Sequence, residues 1–141
     1  MVALVMGPTG KAVTIHRTYL QAGKKAPIES PKKLMPHNGT LQGAAVRLFE
    51  PELGVLGISE GIETAIASTQ LFKVPTWAAV SANMMEQWEP PKGIEKVFIF
   101  GDNDANFTGQ KAAYVLANRL SIKGISVTVK IPDNIGDWAD D

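Results

Sequence analysis

Val97-Phe98-Ile99-Phe100 is an unbroken apolar run that ends directly in Gly101-Asp102-Asn103-Asp104. Such a run suits a parallel strand covered by helices on both faces. A parallel neighbour requires a crossover connection, and the flanking sequence supplies the parts. Residues 53–58 form a second apolar run, followed by Ile62, Ala65, Ile66 and Thr69 at helical spacing. Residues 75–80 form a third, with a short helix expected around 84–88. Residues 110–122 read as an amphipathic helix with Ala113, Leu116 and Leu120 on one side, ended by Gly124. Ile125, Val127, Val129 and Ile131 then alternate with Ser126, Thr128 and Lys130, as in a half-exposed edge strand. The expected class is α/β: an open, mostly parallel sheet of about four strands with helices on both faces.

The first fifty residues follow another pattern. Residues 2–6 and 12–20 read as a hairpin around Gly7-Pro8-Thr9-Gly10, residues 22–39 as a loop or exposed arm, and residues 44–49 as one more strand. The expected division is therefore a β-rich segment, 1–50, packed on an α/β domain, 51–141. Charge divides at the same place. Residues 1–50 carry seven Lys/Arg against two acids, and residues 51–141 carry seven against twelve. A basic segment beside an acidic body suits phosphate handling next to a cation, although two ordinary solvated surfaces give the same tally. Overall the 14 basic and 14 acidic residues cancel, which argues against gripping nucleic acid by bulk charge. The absence of cysteine excludes a disulfide scaffold, a zinc ribbon and a thiol nucleophile. With no secretory signal or membrane span legible, a cytoplasmic location away from membranes is expected.

In open parallel sheets the chemistry collects beyond the carboxyl ends of the strands. Those positions here hold Ser59-Glu60-Gly61, Gly101-Asp102-Asn103-Asp104, and Asp133 with Gly136-Asp137-Trp138. Neighbouring carboxylates repel unless a cation lies among them. A few hard oxygen ligands suit Mg²⁺, which keeps waters and recruits substrate phosphate. Asp and Asn also serve as turn and cap residues, and Glu60 alone suits the first turn of a helix. Acids at two separate strand ends of one edge make the stronger pattern.

Val55-Leu56-Gly57-Ile58-Ser59-Glu60-Gly61 and the later Val97 to Asp104 segment resemble the Toprim domain, a Rossmann-like metal-binding module of primases, topoisomerases and some nucleases. Ser59 to Ala65, Trp77-Ala78-Ala79 and Gly136-Asp137-Trp138 resemble the Toprim domains of phage- and plasmid-encoded primases and primase–helicases. His16 to Leu20 and Gly43 to Leu48 resemble the segment that precedes Toprim in those proteins. The resemblance implies Glu60 as general acid or base and metal ligand, Asp102 and Asp104 as ligands of Mg²⁺ or Mn²⁺, and Asp137 as a further candidate. Gly61 and Gly101 would keep side chains clear of phosphate, although tight turns favour glycine for conformational reasons too. Arg17, Lys33 and Arg47 are the candidates for nucleotide or template phosphate, guanidinium being suited to bidentate contact.

The implied activity is metal-dependent synthesis of short RNA primers from ribonucleoside triphosphates on single-stranded DNA, aided by further domains of a longer primase or helicase protein. A Toprim nuclease and a non-catalytic nucleotide- or partner-binding module are the alternatives. Tyr19 and Tyr114 have no topoisomerase context. One departure stands out: Ala105-Asn106-Phe107-Thr108 separates Asp104 from Gly109, where relatives often have a glycine sooner. Gly7 to Lys11 lacks P-loop spacing and reads as a turn. His16 and His37 lack zinc partners, and Trp77 and Trp88 read as packing residues.

Overall fold

The computed structural model describes residues 1–18, 20, 21, 24, 25, 32–34 and 42–140; His37, Tyr19 and most of the 22–39 arm lie outside them. The strands are β1 (Val2–Met6), β2 (Ala12–Thr18), β3 (Leu20–Gln21), β4 (Lys24–Lys25), β5 (Lys32–Leu34), β6 (Ala45–Val46), β7 (Val55–Ser59), β8 (Thr76–Ala78), β9 (Lys96–Phe100) and β10 (Ser126–Lys130). The helices are α1 (Ile62–Phe72), α2 (Ala82–Gln87) and α3 (Thr108–Ile122), with a final 3₁₀ turn at Trp138–Asp140.

Four strands, in the order β10-β9-β7-β8, are parallel, as the apolar runs require. α1 packs on β7 and β8, while α3 packs on β9 and β10 and against α2. Right-handed crossovers put α1 on one face of the sheet and α2 with α3 on the other. Leu56, Ile58, Val97 and Ile99 accordingly pack with Leu116, Leu120 and Trp88, all without exposure. Burying each of these large apolar side chains contributes about 2 kcal/mol. Phe100 points to the other face and stacks on Phe72 of α1 at 5.0 Å. Gly57 is needed where it is, since a Cβ there would lie 2.4 Å from Thr76 Oγ1. Trp77 and Trp88 are core residues in an edge-to-face pair at 6.3 Å.

The sheet does not stop at the parallel strands. β6 pairs antiparallel with β8 through Val46 and Ala78, and β1, β2 and β5 continue beyond it. Among the described residues the result is one mixed eight-stranded sheet. The segment between β1 and β2 is a turn closed by Gly7 N–H to Lys11 O at 2.7 Å, with Gly10 at φ +85°, as its non-P-loop spacing implied. Among the described residues no helix is long and apolar enough to cross a membrane.

Candidate active site at the carboxyl edge

β7 delivers Glu60, β9 delivers Asp102, and the loop after β10 delivers Asp137 to one cleft of about 350 Å³. Backbone pairing beyond the sheet fixes these strand ends. Ala79 N–H donates to Ser59 O at 2.8 Å and Val80 N–H to Glu60 O at 2.7 Å, lacing β7 to β8. Asn103 and Gly136 exchange backbone bonds of 2.8 and 2.9 Å, which ties the acid loop to the loop bearing Asp137. The Asn103 side chain adds a bond to Pro132 O at 2.8 Å. Val80 sits in the cleft wall at φ +85°, a genuine outlier for a β-branched residue, and such strain concentrates at functional sites.

Every ionisable residue lining the cleft is an acid: Glu60, Glu63, Asp102 and Asp137. Asp102 Oδ1 is buried and has no hydrogen-bond partner. Burial first, then hydrogen bonding to Glu60 and the charges of Glu60, Asp137 and Asp104, push its carboxyl up to about 8. A part-buried carboxyl that faces other acids, with no base in the cleft lining, holds its proton to higher pH. Among the described residues no three His, Cys, Asp or Glu side chains gather tightly enough to enclose an ion. The acids are instead spread around the cleft, so a divalent cation held there would need water or ligand oxygens to complete its shell.

The other expected residues are placed differently. Asp104 is outside the cleft lining; its Oδ2 accepts from Gly109 N–H at 2.7 Å and caps the first turn of α3. Gly109 makes this possible, because a Cβ there would lie 2.6 Å from Asp102 O. The longer loop is thus differently capped, and Asp104 acts on Asp102 by charge. Asp137 both lines the cleft and caps the 3₁₀ turn, its Oδ1 accepting from Ala139 N–H at 2.8 Å. Gly61 lines the cleft as the residue before α1, whereas Gly101 is buried, and a Cβ there would meet Ile131 Cδ1 at 2.5 Å. Close packing, not phosphate access, accounts for Gly101.

Arg47 is not brought to the acids. β6 runs opposite to β8, so the residue after Val46 travels toward the amino ends of the parallel strands. There Arg47 stacks on Trp77 at 4.6 Å and donates from Nη2 to Gly7 O at 3.0 Å. It lines a larger cavity of about 630 Å³ with Phe49, Glu50 and Ile94. That cavity is bigger but lacks the convergent carboxylates of the smaller cleft. Burial lowers the Arg47 pKa, and Glu50 opposes the effect. Arg47→Ala should therefore destabilise the fold by about 1–2 kcal/mol through lost stacking and hydrogen bonds. Denaturant melts would record that loss, and the salt dependence of oligonucleotide binding should stay as in the wild type. Arg17 and Lys33 pair with each other by register on β2 and β5. β2 lies four strands from β7, or roughly 19 Å at the usual strand spacing.

Sequence reasoning missed Val80, Ser81 and Glu63. Glu63 was findable as an acid in the first turn of the helix that follows Glu60 and Gly61. Val80 was not, since nothing in its type signals a positive φ.

Residues 55–141 match the family described as the Toprim domain, and residues 1–48 match a domain of unknown function. No curated protein matches the chain. Among solved structures, a DNA primase domain from Pseudomonas aeruginosa superposes with TM-score 0.64 at 15% identity, covering 97% of this chain and 44% of that one. The Aquifex aeolicus primase zinc-binding and RNA polymerase domains give 0.66 at 19% identity, covering 99% and 35%. The DnaG primase catalytic domain bound to single-stranded DNA gives 0.64 at 14% identity, covering 97% and 45%. The chain thus spans less than half the length of each of these structures.

Proposed function

The chain belongs to the Toprim family, and from that premise we propose that it is the catalytic part of a DNA primase of phage or plasmid type. It would join ribonucleoside triphosphates into short RNA primers on single-stranded DNA in the cytoplasm, with Mg²⁺ or Mn²⁺ and with further domains of a longer primase or helicase protein. The observation that carries this reading is Asp102 Oδ1, buried and unpartnered in a cleft whose ionisable lining is entirely acidic. Such a cleft repels phosphates unless a cation is part of it.

Asp102 and Asp137 would hold the cation, with Asp104 tuning Asp102 by its charge. When bound, the cation neutralises phosphate charge and orients an attacking hydroxyl for in-line displacement. Glu60, half-buried beside Asp102, would take the proton of the 3′-hydroxyl or share in holding the cation. Gly61 leaves room for the phosphates. Residues 1–50 form the non-catalytic segment in this reading and residues 51–141 the catalytic domain. Arg17 and Lys33, side by side on β2 and β5, are suited to a distant stretch of template backbone.

The test is a reaction of the full-length protein with labelled ribonucleotides, a single-stranded template and Mg²⁺. Short RNA dependent on both template and metal is the expected product. Shortened template without RNA would move the function to a nuclease, and no metal-dependent product would leave a binding module.

A further inference from the structure

Phe107, in the loop that departs from the usual Toprim spacing, combines two features that ordinary packing does not explain. Its backbone is left-handed, at φ +66° and ψ +14°, a conformation that an aromatic residue adopts at an energetic cost. Its side chain is nevertheless 68% exposed. Among the described residues its ring meets no other aromatic ring. Glycine or asparagine would make the same turn with less strain. No aromatic pairing among the described residues accounts for an aromatic here.

The loop is held firmly. Phe107 N–H donates to Asp104 O at 3.0 Å, and Lys111 N–H donates to Phe107 O at 2.9 Å. Gly109 N–H is held by Asp104 Oδ2. The backbone that carries the ring is thus held three residues after Asp104, in the loop that follows the strand bearing Asp102. One turn along α3 stands exposed Lys111, and Tyr114, 59% exposed, follows on the same face. Aromatic, cation, aromatic at this spacing extends about 10 Å along the helix from the acid edge.

We propose that Phe107 is a stacking platform for a nucleobase of the single strand that reaches the acid cleft, with Lys111 meeting the adjoining phosphate. The proposal rests on the nucleotidyl-transfer reading of that cleft. Base stacking on an exposed aromatic is tolerant of sequence, because every base has a π face, and one nearby lysine supplies the electrostatic part. Strain held in a rigid loop beside the chemistry is explained if the ring has to be presented in one place.

The test is fluorescence anisotropy of the full-length protein with a labelled oligothymidine and with an abasic oligonucleotide of equal length. The abasic strand keeps the phosphates and lacks the bases. The wild type should prefer the base-bearing strand by about tenfold, and Phe107→Trp should keep that preference. Phe107→Gly should lose most of it while melting at a higher temperature, since the turn is relieved of strain. That pairing separates the role from folding. An unchanged preference in Phe107→Gly overturns the platform alone. If the wild type binds neither strand, the nucleic-acid reading of the cleft falls, and the platform with it.

Discussion

Glu60→Gln is expected to cut ribonucleotide incorporation by the full-length protein at least a hundredfold, with no fall in melting temperature. Glu60 lines the cleft beside Asp102 and interacts with its carboxyl. An amide of nearly the same size neither accepts the proton of a hydroxyl nor brings charge toward a cation. Losing a positioned general base costs roughly 10²–10⁴ in rate. The fold should change little, because the glutamine amide oxygen can still accept the hydrogen bond that links this side chain to the Asp102 carboxyl. Incorporation measured beside a thermal melt separates the two effects, and wild-type rates in the variant would take Glu60 out of the chemistry.

Asp102→Asn should do the opposite of what most half-buried substitutions do. In the metal-free protein at pH 8 it should raise the melting temperature by about 5 °C, and at pH 4 it should change little. The sign follows from the direction of the shift. The folded carboxyl titrates at about 8, whereas an unfolded aspartate titrates near 4. Between those values the folded state holds a proton that the unfolded state has released. The contribution of this group to stability is therefore complete below about pH 4 and is lost as pH rises through about 8. Water still reaches the half-buried group and screens it, so the effect is discounted to about 1–2 kcal/mol. Asparagine does not titrate and escapes the loss. Melts across this pH range in chelator would check it, and a lower melting temperature for the variant at pH 8 would mean that the carboxylate is well partnered. Added Mg²⁺ should stabilise the wild type alone.

The parallel half of the sheet and its acid edge were legible because both depend on local pattern. The apolar run Val97 to Phe100 needs cover on both faces, and the strand-end rule then points to Glu60, Asp102 and Asp137. Three features were less legible, one because it depends on pairing between distant segments and two because an acid near a helix start suits a cap and a site equally. The join of β6 to β8 turns Arg47 toward the far edge, and residue type carries no sign of that direction. Asp104 matches the Asp-x-Asp pattern, but Gly109 draws its carboxylate into a helix cap. The spacing alone suited either role. Asp137 proved to be cap and cleft wall together, since its two oxygens can serve different partners.

In the proposed reading the carboxyl-edge acids form a divalent-cation site around Asp102, whose carboxyl burial and neighbouring acids push up to about 8. Calorimetric titration of Mn²⁺ at pH 7, repeated in buffers of different ionisation enthalpy, is the deciding measurement. Metal ligands bind deprotonated, so loading the site must displace the Asp102 proton. The wild type should bind Mn²⁺ with release of close to one proton at pH 7 and almost none at pH 9.5, and Asp102→Asn should lose that binding. Equal binding by wild type and variant, with no proton released at either pH, would rule the cation site out.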